Sequence, residues 1–201
     1  MSPDFFKIVG TLGLAYIIGA LPFGFWLVKH LKGIDLRTVG SGGTGATNVK
    51  RTAGKQLAAL TLFLDVVKGA LAVYIAQQFA PTSLQTLLPL AAGSLAILGH
   101  SRSIFIQFKG GKSVAVSLGV FLMLEPVIMS LAILAGVLII TLTRFVSLGS
   151  MLGAIIAFIL SFIFPHVFWM HQVLFGLVAA YIIWLHRENI QRLCKGCENK
   201  L

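Results

Sequence analysis

Seven apolar stretches constrain this chain more than any motif in it: Phe5 to Val28, Leu57 to Phe79, Leu84 to Leu98, Val114 to Leu124, Val127 to Leu142, Leu148 to Phe164 and Val167 to Leu185. A bilayer accepts only segments that satisfy their own backbone polar groups, and single runs of this kind do so as helices. Of 201 residues, 57% are hydrophobic and 11% charged, against roughly 45–50% and 25% in a soluble domain. The chain therefore reads as an all-α integral membrane protein, a seven-transmembrane-helix bundle forming one membrane-embedded domain over residues 1–201. A span takes ~20 residues, so the first, second and last runs are long enough. Val114 to Leu124 is too short and reads as a half-helix packed inside the protein. Met1 to Val28 lacks the basic n-region and small-residue cleavage site of a secretory signal, and reads as a retained first helix.

The charges give this bundle an orientation. Sixteen Lys and Arg face six Asp and Glu, a net charge of +10. Fourteen of the sixteen fall in alternate connections: Lys29 to Lys55, Arg102 to Lys112, Arg144 and the tail after Leu185. The positive-inside rule makes that face cytoplasmic, with the N-terminus outside and the C-terminus inside. If Val114 to Leu142 were one bent helix, this separation would collapse. Cations concentrated in short membrane loops favour lipid headgroups and phosphates. They leave nucleic acid without a basic face to bind. Nothing in the sequence sets an oligomeric state, and a monomer is compatible with it.

Three polar constellations lie on the basic side. The first is Gly40-Ser41-Gly42-Gly43-Thr44-Gly45-Ala46-Thr47-Asn48-Val49-Lys50-Arg51. Glycines let backbone N–H groups turn inward on an anion, and a helix starting near Asn48 would aim its positive end at the same point. The alternative is a flexible glycine linker. The run does not match G-x-x-x-x-G-K-[ST], which disfavours a nucleotide-hydrolysing motor. The second is Gly99-His100-Ser101-Arg102 followed by Phe108-Lys109-Gly110-Gly111-Lys112-Ser113, two lysines flanking a diglycine ahead of a short apolar run. An ordinary positive-inside loop accounts for its charge but not for the diglycine. The third is His186-Arg187-Glu188-Asn189-Ile190-Gln191-Arg192-Leu193, where His186 and Asn189 share a helix face at i, i+3. A solvated basic cap is the alternative there.

Other polar residues are more ambiguous. Asp65 and Lys68, also i, i+3, fall near mid-membrane, where unpaired charges are expensive, so a pair facing the protein interior is expected. That pair would orient the bundle or the substrate. Ser147 and Ser150 beside Arg144 either line the same cytoplasmic site or, for Ser147, cap a helix. His30 and Asp35 satisfy an H-x-x-x-x-D spacing, a two-position pattern too weak to carry a catalytic dyad. His166 and His171 belong to the outer side and serve packing or the membrane interface. Cys194 and Cys197 make one C-x-x-C, and a zinc site needs about four ligands. The pair reads as incidental and reduced, and no metal or cofactor is expected.

Together the three cytoplasmic constellations resemble the bacterial membrane acyl-phosphate:glycerol-3-phosphate acyltransferases. The likeness runs over nearly the whole chain and includes Leu21-Pro22-Phe23-Gly24, Gly40 to Arg51 with Gly54-Lys55, Leu64 to Gly69, Gly99 to Lys112, Ser147 to Ser150 and His186 to Leu193. The chain departs from the family pattern at Gly43, where asparagine is usual, and at Ser113, where glycine is usual. The resemblance implies transfer of a fatty acyl group from acyl phosphate to the 1-hydroxyl of glycerol 3-phosphate. The products would be lysophosphatidic acid and inorganic phosphate, made at the cytoplasmic face of the bacterial inner membrane.

It also distributes roles. Ser41, Gly42, Gly43, Thr44, Gly45, Thr47 and Asn48 would hold the acyl-phosphate phosphate, largely through backbone amides. Arg51, Lys109 and Lys112 would bind glycerol 3-phosphate. Ser147, His186 and Asn189 would line the site, with Asp65, Lys68 and Ser150 structural or orienting. His100 and His186 are the candidate bases, with a substrate phosphate as the alternative proton acceptor. A backbone cradle further implies that a bulky side chain at Gly42 or Gly45 harms more than Thr44→Ala. Two rivals stay open: an organophosphate transporter, which would be expected to have broken-helix repeats, and a CDP-alcohol phosphotransferase, which would need clustered aspartates where Asp4, Asp35 and Asp65 are far apart.

Overall fold

The computed structural model describes residues 3–201. Met1 and Ser2, which open the expected first helix, lie outside the described residues. Among the described residues there are helices and turns and no strand. The chain divides into two compact units, one up to Met123 and one from Leu124 onward.

In the first unit the opening apolar run is two helices rather than one: α1 (Pro3–Ala20) and α2 (Phe23–Lys32). Pro22 has no N–H and disfavours a helical residue before it, so the ladder breaks at Leu21-Pro22. The break exposes two carbonyls that a continuous helix would have used. Ser103 Oγ donates to Ala20 O at 2.6 Å, and Lys68 Nζ donates to Leu21 O at 2.7 Å. Helix α3 (Ala46–Ala53) starts two residues earlier than the expected Asn48, and α4 (Lys55–Phe79) follows after Gly54. Next come α5 (Leu87–Ser101) and α6 (Val114–Leu124), the latter with the bounds of the short apolar run.

Helix α1 packs on α4 and α5, and α3 packs on α4. Helix α6 approaches α4 backbone to backbone, since a Cβ at Gly69 would strike Val116 O and one at Gly119 would strike Val66 O. Gly19 packs against Ala96, whereas Gly10 and Gly13 have open space around them.

In the second unit α7 (Pro126–Thr143) packs on α8 (Val146–Ile163), and α8 on α9 (Trp169–Leu185). Pro126 sits in the first turn of α7, where its missing N–H costs nothing. His186 separates α9 from α10 (Arg187–Cys194), and the two axes bend by 59°. Gly149 of α8 packs against Gly136 and Ile140 of α7.

Among the described residues, four stretches are long and apolar enough to cross a membrane: Asp4–Lys32, Lys55–Phe79, Pro126–Thr143 and Val146–Ile163. A fifth is added if α9 and α10 count as one bent span. On α7, Leu134, Leu138 and Leu142 are 67%, 58% and 75% exposed at helical spacing. Such a stripe would be a liability in water and is at home against lipid tails.

Candidate active site

The Gly40 to Arg51 segment is folded rather than a loose linker. Leu36, just before it, and Val49, near its end, are fully buried and belong to one cluster with Val28 of α2 and Ala58 of α4. Asn48 organises what lies between them. Its side-chain amide donates to the carbonyls of Leu36 (3.3 Å), Val39 (3.1 Å) and Gly43 (2.9 Å), and its Oδ1 accepts from Ser41 N at 3.1 Å.

Asn48 is therefore buried as a loop organiser, and its polar atoms are engaged inside the protein. Gly42 N is also engaged, donating to Val39 O at 3.1 Å. Of the expected cradle amides, Ser41 and Gly42 are thus used internally. Among the described residues, the Gly43, Thr44 and Gly45 amides, which lead into the first turn of α3, donate to no backbone carbonyl, and Thr44 itself is buried.

Glycine is required here at particular places. Gly40 and Gly42 take φ of +61° and +67°, and a Cβ at Gly40 would collide with Asn48 Oδ1. Gly45 has an ordinary φ of −79° and nothing within 4 Å of where a methyl would stand, so the fold itself accepts a small side chain there. Gly43, the departure from the family's asparagine, meets only Ser41 Oγ at 3.7 Å.

Before the loop, Asp35 accepts from Arg37 N (3.0 Å) and from the guanidinium (2.7 and 3.0 Å). These hydrogen bonds hold the Asp35 carboxyl down to about 2. That carboxylate fixes the Leu36–Thr38 turn, and His30 is exposed, so the H-x-x-x-x-D pattern marks no dyad.

The second constellation merges with the Asp65 and Lys68 pair, which the sequence left apart from it. Lys68 Nζ lies 2.8 Å from Asp65 Oδ1, 2.7 Å from Leu21 O and 3.0 Å from His100 Nδ1, and all three side chains are buried. The diglycine docks on the end of α5: Gly110 N donates to Ser101 O (3.1 Å) and Gly111 N to His100 O (3.2 Å). These two amides therefore serve the fold rather than an anion.

Neither glycine has positive φ; both are needed for close approach. A Cβ at Gly110 would strike His100 O, and one at Gly111 would strike His100 Nε2. The left-handed residues here are Gln107, Phe108 and Ser113, and Ser113 is buried with its Oγ donating to Ile97 O at 2.8 Å. The cations this loop presents are exposed Lys109 and half-buried Lys112, with Arg51 exposed on α3.

In the second unit, Glu198 is the centre that sequence reasoning missed. One of its oxygens accepts from Ser147 Oγ (2.8 Å) and Asn189 Nδ2 (2.6 Å), and the other from Arg192 Nε (2.7 Å). Leu201 N donates to Arg144 O at 2.8 Å, which fastens the tail to the α7–α8 turn. Burial alone would push the Glu198 carboxyl up, but the bonds from Asn189, Arg192 and Ser147 outweigh it and hold it below its ordinary 4.5. One of only two acidic residues in the basic tail, the other being Glu188, was the available signal.

Ser147 does not cap α8, whose cap position is Phe145. Ser150 is half-buried on the next turn. His186 and Asn189 are both buried at the bend, and His186 Nδ1 lies 2.8 Å from Ile182 O. Cys194 and Cys197 are free and exposed. Glu125 lies between His171 (2.6 Å) and the more distant His166 (3.7 Å).

A family model for glycerol-3-phosphate acyltransferase matches residues 9–196. The chain belongs to that family. It is 44% identical over 193 residues to a glycerol-3-phosphate acyltransferase of Thermus thermophilus, covering 96% of this chain and 94% of the relative. Against glycerol-3-phosphate acyltransferase 1 of Deinococcus radiodurans it is 43% identical, covering 95% and 94%.

Among solved structures it resembles PlsY (YgiH), an integral membrane glycerol 3-phosphate acyltransferase. The glycerol 3-phosphate form matches with a TM-score of 0.90 and 36% identity, covering 96% of this chain and 95% of that one. The lysophosphatidic acid form matches at 0.87 and 35%, with the same coverage. This family member is a multi-pass membrane enzyme and an acyltransferase acting on glycerol 3-phosphate. The chemistry it needs is orientation of a hydroxyl and stabilisation of negative charge, which rigid amides and cations supply.

Proposed function

We propose that the acyl donor is an acyl phosphate and the product lysophosphatidic acid. The observation that carries this reading is the pair of anion-ready loops in the first unit. One carries the amides of Gly43 to Gly45, and the other carries exposed Lys109 and half-buried Lys112. Two phosphates need two such seats, whereas a thioester donor with no phosphate at the reacting end needs one. The Gly43 to Gly45 amides, with Thr47 nearby, hold the phosphate of the donor. Lys109, Lys112 and Arg51 bind that of glycerol 3-phosphate. In the second unit Ser147, His186 and Asn189, with Ser150 on the next turn, keep the site-lining role that the family resemblance implies for them, and Glu198 organises Ser147 and Asn189.

The primary hydroxyl of glycerol 3-phosphate attacks the acyl carbon, the new ester C–O bond forms, and the bond to the phosphate oxygen breaks. Inorganic phosphate leaves with the electron pair, and the hydroxyl proton passes to it or to His186. An acyl phosphate is a mixed anhydride, so the enzyme need supply little beyond alignment and charge stabilisation. The membrane arrangement proposed with this is seven helical segments in a bacterial inner membrane, N-terminus outside, with C-terminus and site cytoplasmic.

The test is purified protein given palmitoyl phosphate and glycerol 3-phosphate, with acyl-CoA and acyl-carrier protein as competing donors. Lysophosphatidic acid and inorganic phosphate in equal amounts are expected from the acyl phosphate alone. Turnover with a thioester donor and none with palmitoyl phosphate would overturn the reading.

A further inference from the structure

The buried triad of Asp65, Lys68 and His100 fixes the chemistry of a histidine. The Lys68 ammonium has three N–H donors and no acceptor. Around it stand its ion-pair partner Asp65 Oδ1 and two hydrogen-bonding groups, Leu21 O and His100 Nδ1, at 2.8, 2.7 and 3.0 Å. The first is a carboxylate and the second a carbonyl, so neither can donate in return. The lone pair of the imidazole is therefore at Nδ1, turned to the ammonium, and the ring proton is at Nε2. That second nitrogen lies against Gly111, where any Cβ would collide with it.

The same residue grips the loop through its backbone, with His100 O accepting from Gly111 N at 3.2 Å. His186 is held the other way round. Its Nδ1 meets a backbone carbonyl at 2.8 Å, so Nδ1 carries the proton and the lone pair is at Nε2.

We propose that His100 is a positioning residue, locked by Lys68 as the Nε2–H tautomer and clamping the Gly110–Lys112 loop, and is not the proton acceptor of the acyl transfer. The break at Leu21-Pro22 belongs to the same device, since it frees the carbonyl that holds the third face of the ammonium. This also explains why both glycines of the second loop are needed although neither has positive φ. They let the loop close onto an imidazole that is already held from behind.

The direct test is nitrogen-15 NMR of histidine-labelled protein in detergent or nanodiscs, with the His100 signal assigned by its loss in His100→Asn. The expected result is an Nε2–H tautomer that stays neutral between about pH 6 and 8, where a free imidazole would titrate. An Nδ1–H tautomer, or a ring that protonates in that range, would overturn the proposal. Kinetics provide the second arm.

His100→Asn keeps an acceptor where Nδ1 stood and loses the Nε2 donor, while His100→Gln keeps the distal donor and loses the acceptor. Both should raise KM for glycerol 3-phosphate ~10-fold, with kcat falling no more than ~3-fold. A base would instead lose ~100-fold or more in kcat in both variants with KM nearly constant, and that outcome also overturns the proposal. The kinetic arm rests on this loop binding glycerol 3-phosphate, but the tautomer arm does not. An Nε2–H ring together with an unchanged KM would retain the lock and refute the substrate assignment of the loop.

Discussion

The two glycine-rich loops of the first unit look alike in sequence and are built on opposite plans. In Gly40 to Arg51 the left-handed turns fall on glycines, and one asparagine side chain ties the loop together from inside, leaving amides to present. In Phe108 to Ser113 the left-handed positions fall at the loop edges on Gln107, Phe108 and Ser113, and the glycines serve close contact. Their amides are bound to the carbonyl end of α5, which leaves lysines to present. Glycine in one loop supplies conformation and in the other supplies absence of bulk. On the proposed reading, the difference separates a backbone cradle from a side-chain clamp.

The sharpest way to break the comparison is with single methyl groups. Gly40→Ala needs a left-handed alanine, which costs about 1–2 kcal/mol, and it also displaces Asn48. It should lower kcat/KM ~100-fold, while Gly45→Ala stays within ~5-fold because its φ is ordinary and its surroundings open. Equal damage from both would deny the first plan. Gly111→Ala should come next. Its methyl meets the imidazole of His100, and overpacking of that kind costs about 1–3 kcal/mol. A ~10- to 30-fold loss read mainly in KM is expected, and a wild-type KM would mean the loop does not need its close seat.

A smaller effect concerns pH and the second unit. The Glu198 carboxyl is held below its ordinary 4.5, so the stability it contributes is present above that value and is lost as pH falls through the lowered one. Thermal melts in detergent should therefore lose several degrees on acidification below about pH 4.5, and Glu198→Gln should flatten that acid limb. An unchanged limb in the variant would mean the tail clasp adds nothing.

Ser113→Gly should have the smallest effect. It removes a left-handed serine, a gain of about 1–2 kcal/mol, and deletes the bond to Ile97 O, a loss of about 0.5–1.5 kcal/mol. The melting point should move by only a few degrees. Collapse on this change would show that the hydroxyl matters far more than the strain.

Much of this was legible in the chain. Apolar runs located the helices because a membrane segment must satisfy its own backbone, and the cost of bare charge in lipid made an Asp65–Lys68 pair readable from i, i+3 spacing. What hid was long-range. That His100 is the third partner of Lys68, across 32 residues, depends on how α4 meets α5.

Asn48 carries the right chemistry for a phosphate contact, and nothing local announces that Leu36, Val39 and Gly43 take its hydrogens. Glu198 sits in a tail that looks incidental until its three donors are seen. The break in the first helix was visible as Pro22, but its consequence was not, because two freed carbonyls have meaning only once Ser103 and Lys68 reach them.

The central claim is that the first loop cradles the acyl donor's phosphate through backbone amides while the second holds glycerol 3-phosphate through cations. Steady-state KM for each substrate in Asn48→Ala and in Lys112→Gln tests it most directly. Asn48→Ala should raise KM for palmitoyl phosphate by ~10-fold or more and leave that for glycerol 3-phosphate nearly unchanged, and Lys112→Gln should do the reverse. Both variants raising the same KM, or the two effects exchanged, would contradict the account.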